Sequence, residues 1–178
     1  MSLPETSSLQ QWLDTVSEEQ PMTWRDMPPL DLYMDQVITL MNRQFELVKV
    51  QTDRPLTPSM INNYVKDGVM PRPEHKRYRR EHLVALAIIY LLKAEFTLPE
   101  IRELLDGLTK HYTPEEIYEC LLHTQVDRLR DAAEEIDRAK DTDEATRYKL
   151  AMQLAIEANA KRIAATKLLE SLKETGEE

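Results

Sequence analysis

Apolar residues recur at every third or fourth position along most of the chain, and this spacing predicts helices. Five helices are expected before residue 113, over residues 8–17, 32–48, 57–67, 80–95 and 98–108, the last stopping near Gly107. Residues 115–175 contain no glycine or proline and predict either one long helix or two, with residues 141–144 as the best internal break. The pattern therefore predicts a mainly α-helical protein.

Local signals mark where several of these helices begin and end. Thr57 followed by Pro58 places a capping residue before a proline at the first helical position. Gly68 is expected to end the same short helix in the left-handed region of backbone conformation. Residues 97–100 and 113–116 each have the spacing of a capping box, with threonine first and glutamate three residues later.

The segment between the third and fourth helices is extended rather than helical. Pro71 and Pro73 cannot continue a helix, and the residue before each proline favours extended backbone. Residues 69–79 are therefore expected to form a small β-hairpin or an extended loop.

The order helix, short helix, extended segment, helix matches the layout of a winged helix-turn-helix. The expected fold is mainly α, a winged helix-turn-helix with a small β-hairpin wing, followed by long C-terminal helices paired as a helical hairpin. Three regions are expected along the chain: an N-terminal arm over 1–23, the winged domain over 24–108, and a C-terminal helical module over 113–175.

Charge is distributed unevenly and changes the functional interpretation. The chain of 178 residues has a formal net charge of −9, which argues against nucleic acid as a partner. Residues 49–82, however, have a net charge of +4 between two flanks of −6 each, over 1–48 and 113–178. This basic island coincides with the short helix and the expected wing, where a DNA-binding domain needs cations.

The polar side chains of that island are the candidate DNA contacts. On the short helix they are Ser59, Asn62, Asn63 and Lys66. On the wing and the turn that follows they are Arg72, His75, Lys76, Arg77, Arg79 and Arg80. An asparagine amide can pair with adenine, a lysine can reach guanine or a phosphate, and phosphate contacts position a domain without selecting a sequence. Solvated helix residues and a solvated charged loop are the alternative interpretations.

The same segment resembles the DNA-binding domain of the MerR family. The resemblance runs over about 57–106 and rests on Met60–Met70, on Arg72-Pro73 with Lys76–Tyr78, and on Phe96–Leu104. It implies groove-edge and wing positions for Lys66, Arg72, Lys76 and Arg77. The family has an arginine-tyrosine-tyrosine triplet at this point. Here Asn62 and Asn63 replace the arginine and the first tyrosine, and only the second tyrosine is kept, as Tyr64. The phosphate contact of the family's arginine therefore does not carry over to this chain.

A narrower resemblance extends further upstream. Residues 24–28 and 32–37 are similar to an uncharacterised bacterial family that has a MerR-like helix-turn-helix and consists of predicted transcriptional regulators. With these residues the similarity covers about 24–108.

Other chemistry has weaker support in the sequence. Cys120, His123 and Asp127 share one helical face, but a third strong metal ligand is lacking, so no metal site is expected. There is no phosphate-binding glycine loop, dinucleotide-binding fingerprint or catalytic triad pattern, so neither an enzyme nor a cofactor is expected. One cysteine excludes an internal disulfide, and no apolar run reaches the length of a membrane span.

The expected function is that of a cytoplasmic, sequence-specific transcriptional regulator. It would bind a pseudo-palindromic site on double-stranded DNA as a homodimer held by its C-terminal helices, because their apolar residues exceed what one short hairpin can bury. The alternative is a helical protein–protein adaptor on the same scaffold, with its acidic flanks meeting a basic partner. The sequence names no effector ligand and does not decide between activation and repression.

Overall fold

A computed structural model describes residues 8–18, 20–45 and 55–175, and for residues 173–175 it describes the backbone only. The described residues form seven helices and no β-strand. The helices are α1 (Ser8–Glu18), α2 (Met34–Gln44), α3 (Pro58–Lys66), α4 (Arg80–Leu92), α5 (Leu98–His111), α6 (Pro114–Ala139) and α7 (Glu144–Thr175). The expectation of a mainly α-helical protein is confirmed. The expected end of the second helix at Val48 and the polar break after it lie outside the described residues.

The expected caps are present. The Thr57 hydroxyl accepts a hydrogen bond from the Met60 amide, Pro58 opens α3, and Gly68 has a φ of +69° just after the helix. The Thr97 amide and hydroxyl both donate to the Glu100 carboxylate at 2.7 Å. Residues 113–116 repeat this arrangement at 2.8 and 2.9 Å.

One helix end was predicted wrongly. Gly107 lies inside α5, which continues to His111. A glycine inside a helix costs only about 1 kcal/mol relative to alanine. The buried Ile101 and Leu105 on the same helix outweigh that cost.

Contacts divide the chain into two compact units, and the first comprises residues 21–124. Its centre is α4, which packs against α2 and α5, while α3 packs against α2. Every residue of α4 from His82 to Tyr90 is buried. Because a helix that is apolar all around needs neighbours on every side, the other helices and the loops of this unit surround it.

The expected β-hairpin wing is replaced by a tight turn. Glu74 and Arg77 form one isolated bridge, closed by a 2.8 Å hydrogen bond from the Arg77 amide to the Glu74 carbonyl. Pro71 and Pro73 have no backbone N–H to donate, so the arm before the turn cannot form a ladder.

The arm after the turn pairs instead with a segment just before α2. Leu32 and Tyr78 form an antiparallel bridge and exchange two 2.8 Å hydrogen bonds. The sequence pattern had assigned Leu32 to the second helix, which in fact begins at Met34.

The chain that enters this unit is tied to the first part of α6. The Tyr118 hydroxyl donates to the Met22 carbonyl at 2.7 Å, and the Trp24 amide donates to the Glu119 carboxylate at 3.0 Å. The Trp24 and Tyr118 rings lie 6.2 Å apart. Burial raises the pKa of Tyr118 to about 12, with smaller contributions from the Glu119 and Asp26 charges. Tyr118 is therefore a protonated hydrogen-bond donor at neutral pH.

The second unit comprises residues 1–20 and 125–178. Leu13 and Val16 of α1 and Ala133 of α6 are buried and line one groove of about 530 Å³. The Lys140 ammonium donates to the Gln10 side chain at 3.0 Å. These contacts place the N-terminal helix along the second half of α6.

The stretch 115–175 forms two helices, with Asp143 accepting a 2.9 Å hydrogen bond from the Thr146 amide at the start of α7. Among the described residues, α6 and α7 make few contacts with each other, so they do not form the packed helical hairpin that was expected. Six large apolar side chains of α7 are between 47% and 70% exposed, namely Tyr148, Met152, Ile156, Ile163, Leu168 and Leu172. Apolar residues occur on more than one face of α7, so packing against a single neighbour cannot cover them all.

Candidate nucleic-acid interface

The four candidate side chains on α3 share one exposed face. Ser59, Asn62, Asn63 and Lys66 follow the i, i+3, i+4, i+7 spacing of a helical face, and all four are exposed. Ile61 and Tyr64 are buried on the opposite side and fix the helix to the core. The structure therefore brings these four residues together on one exposed face of α3.

The loop after α3 is bonded directly to that helix. The Val69 and Met70 amides both donate to the Tyr64 carbonyl, at 2.9 and 3.2 Å, and both side chains are buried. The exposed Arg72 follows two residues later. The polar face of α3 and the basic loop are thus linked by a short, well-bonded segment.

His75 and Lys76 form the tip of the turn and are exposed. Both have positive φ values, 48° and 61°, so the turn has the left-handed conformation at both central positions. Non-glycine residues adopt this conformation at a cost of roughly 1–2 kcal/mol each. The hydrogen bond from the Arg77 amide to the Glu74 carbonyl and the ion pair between Arg79 and Glu74 help to offset this strain.

Arg79 is exposed, but its guanidinium group has acidic partners. Its guanidinium donates to Glu74 at 2.6 Å and lies 3.7 Å from Asp31 and 4.0 Å from Glu81. These three carboxylates offset its charge, and the Glu74 pair braces the turn across its base.

Arg80 contacts the protein interior. Its Nη2 donates to the Met27 carbonyl at 2.7 Å and its Nε to the Pro28 carbonyl at 3.3 Å. Its guanidinium carbon lies 4.9 Å from the centre of the Trp24 ring. Arg79 and Arg80 therefore have partners within the protein, and so has Arg77, so three of the six candidate residues on the wing are engaged.

His82 lies beneath the basic loop and is 3% exposed. Its Nδ1 accepts a 2.9 Å hydrogen bond from the Arg79 amide, and the Tyr78 ring packs edge-on against it at 5.6 Å. Burial lowers the pKa of His82, whereas the negative charge of Glu81 opposes this shift. Protonation of Nδ1 would also break the hydrogen bond from the Arg79 amide. Nε2 is buried without a hydrogen bond of good geometry.

Sequence reasoning missed Asp31 and Tyr33, which reach the basic turn from about 45 residues upstream. Arg77 stacks on the Tyr33 ring, with its guanidinium carbon 3.6 Å from the ring centre. Its Nη1 donates to the Asp31 carbonyl at 3.4 Å. A pairing closed by a single bridge leaves no periodic pattern, so no sequence signal identified these residues.

No three His, Cys, Asp or Glu side chains among the described residues converge on a metal-binding position. Cys120 is exposed, and the His123 Nε2 lies 3.5 Å from the Glu119 carboxylate. None of the described helices is long and apolar enough to cross a membrane.

These features define a mainly helical domain that presents a short polar helix followed by a basic turn. Residues 22–121 match the model of a family described as a domain of unknown function, DUF1836. The match spans more than half of the chain, so the protein belongs to this family, in agreement with the expected similarity to an uncharacterised family. No curated protein and no solved structure matches the chain.

Proposed function

We propose that the protein is a sequence-specific, DNA-binding transcriptional regulator that acts as a homodimer. In this proposal the region 24–108 works as a MerR-like winged helix-turn-helix, with the turn at 74–77 in place of a β-hairpin. The observation that carries the proposal is the exposed polar face of α3, joined through a short bonded loop to exposed cations. A short helix of this kind fits a major groove about 12 Å wide.

The structure refines which side chains we assign to DNA. Asn62 and Asn63 are proposed to contact base edges, with Ser59 beside them. Lys66, Arg72, Lys76 and Arg77 are proposed to contact phosphates, with His75 at the tip of the turn. Arg79 and Arg80 are assigned supporting roles, because each donates a short hydrogen bond, 2.6 and 2.7 Å, to a carboxylate or a carbonyl of the protein, whereas Arg77 donates only one long hydrogen bond of 3.4 Å.

Salt-dependent binding measurements test the proposal. We expect the protein to bind genomic DNA fragments at low salt and to lose affinity steeply as salt rises, because counterions are released at each phosphate contact. Replacing Arg72, Lys76 and Arg77 together by alanine should weaken binding to every sequence. Replacing Asn62 or Asn63 should instead change which sequences are selected from a random library.

A charge-matched control separates a specific interface from general attraction. Arg25, Arg43 and Lys110 are exposed and lie outside the proposed interface. Replacing these three by alanine changes the net charge by the same amount as the interface triple. Equal losses of DNA affinity in the two triple variants, or no DNA binding by the unsubstituted protein at low salt, would contradict the proposal.

The exposed apolar side chains of α7 favour a second candidate function, a helical protein–protein adaptor. This function predicts a protein partner whose binding is unaffected by the triple substitution at Arg72, Lys76 and Arg77. Co-purification of a stoichiometric protein partner, with no DNA recovered, would support the adaptor over the regulator.

A further inference from the structure

The bridge between Leu32 and Tyr78 sets the register of two short extended segments. In an antiparallel pair that exchanges both hydrogen bonds, the flanking residues lie opposite each other with their side chains close. Tyr33 is therefore opposite Arg77, and Asp31 is opposite Arg79. Side chains alternate between faces along an extended segment, so both of these pairs lie on the face opposite the buried Tyr78.

The two pairs on this outer face differ in what the arginine of each pair contacts. Arg79 is met by carboxylates, so its charge is offset locally. Arg77 instead rests on the Tyr33 ring at 3.6 Å, with one long hydrogen bond, 3.4 Å, to the Asp31 carbonyl. Stacking occupies a face of the guanidinium and not its edge, where the five N–H donors lie. Tyr33 is 48% exposed and Arg77 is half-buried, so the stack borders solvent.

We infer that Tyr33 is a positioning residue that holds Arg77 ready to bind a backbone phosphate of duplex DNA. This inference rests on the proposed function and adds to it a residue from outside the basic island. A planar guanidinium forms paired hydrogen bonds with phosphate, and it binds more tightly when its side chain is already ordered. Arg77 adjoins Lys76 at the tip of the turn, so one phosphate contact would lie beside another.

Binding of a mixed-sequence DNA duplex, measured by fluorescence anisotropy at several salt concentrations, tests the inference. Tyr33→Phe keeps the ring and should bind as the unsubstituted protein does. Tyr33→Ala removes the ring and should weaken binding by about two- to fivefold, the range expected for an exposed cation–π contact. Arg77→Ala should weaken binding and should also make the negative slope of log K against log salt shallower by about one, as loss of one phosphate contact requires.

The double variant distinguishes positioning from general structural damage. If Tyr33 acts through Arg77, Tyr33→Ala should have no further effect on affinity once Arg77 is alanine. An undiminished effect in that background, or no effect in the unsubstituted background, overturns the inference. Should Tyr33→Ala fail to fold, Tyr33→Leu removes the aromatic face while keeping apolar bulk and tests the same point. If the unsubstituted protein binds no duplex at low salt, the proposed function itself fails, and this inference with it.

Discussion

Arg80 donates a 2.7 Å hydrogen bond from its Nη2 to the backbone carbonyl of Met27, a residue that is 1% exposed. A side chain that belongs to the most basic stretch of the sequence thus contributes to the packing of the core. Its second hydrogen bond, to the Pro28 carbonyl, and its stacking near Trp24 add to this structural role.

Arg80→Ala should therefore lower the stability of the protein. We expect a loss of about 1.5–3 kcal/mol in the free energy of unfolding, the usual contribution of a hydrogen bond to a charged group. Lys76→Ala is the matched variant, because it removes the same charge from the exposed tip of the turn and should change stability by less than about 0.5 kcal/mol. Urea titration measures both. Equal losses in the two variants would mean that Arg80 has no special structural role.

The two described glycines give opposite predictions for replacement by alanine. A β-carbon on Gly68 would lie 3.3 Å from the Arg102 guanidinium, and its φ of +69° is strained for alanine. Gly68→Ala should therefore destabilise the protein by about 1–2 kcal/mol. Gly107 lies inside α5, with nothing within 4 Å of the added carbon. Gly107→Ala should stabilise by up to about 1 kcal/mol.

Thermal and urea unfolding of both variants test this pair. The flexible end of the Arg102 side chain can move away from the added carbon. The change in stability of Gly68→Ala therefore depends on the backbone strain. A stability of Gly68→Ala equal to that of the unsubstituted protein would show that another conformation is accessible at this position. A loss at Gly107 would contradict its placement inside a continuous helix.

Local sequence signals were sufficient to find the helices of this protein, although not to place the end of α5 or the beginning of α2. The beginning of α3 follows from Thr57 and Pro58, and the beginning of α5 from Thr97 and Glu100, because each cap is made by residues within one turn. The exposed face of α3 follows from the spacing of its polar residues alone. These features need no knowledge of the rest of the chain.

Features that depend on distant residues could not be predicted. The orientations of Arg79 and Arg80 depend on Asp31, Met27 and Pro28, which lie about 50 residues upstream. The sequence shows that these arginines are charged but not which way they point. The bridge that places Tyr33 against Arg77 is equally non-local, and the short extended segment that makes it has no alternating pattern.

The buried His82 predicts that stability depends on pH. Because burial lowers its pKa in the folded protein, the unfolded chain takes up the proton first as the pH falls through the ordinary value of 6.5. The stabilisation is thus fully present above pH 6.5 and is lost progressively below it. Glu81 opposes the effect but does not reverse it.

Two asparagine substitutions test this dependence over about pH 5–7, where histidine side chains change charge. His82→Asn keeps an acceptor for the Arg79 amide but cannot titrate, so the fall in stability on acidification should become shallower. His75→Asn makes the same substitution in the exposed turn, where asparagine tolerates positive φ, and serves as the comparison for His82→Asn. If the free energy of unfolding of His82→Asn and of the unsubstituted protein changed with pH in the same way, His82 would be ruled out as the source of the pH dependence.

The exposed apolar residues of α7 predict that the proposed homodimer depends on this helix. Ile156 and Ile163 are 59% and 47% exposed and lie seven residues apart, close to two helical turns. Replacing both by glutamate removes two large apolar groups from the expected contact and adds charge. The dissociation constant of the dimer should then rise by at least about tenfold, because burying one such side chain contributes about 1.5–3 kcal/mol.

Sedimentation velocity measures this change over a range of protein concentrations. Ala158→Glu combined with Ala165→Glu adds the same two charges, also seven residues apart, at exposed positions on the opposite face of α7 and serves as the matched control. The control should remain dimeric, because it leaves Ile156 and Ile163 in place. A monomeric unsubstituted protein at all concentrations would refute the homodimer, and equal dissociation in both variants would assign the effect to charge instead of to the apolar contact.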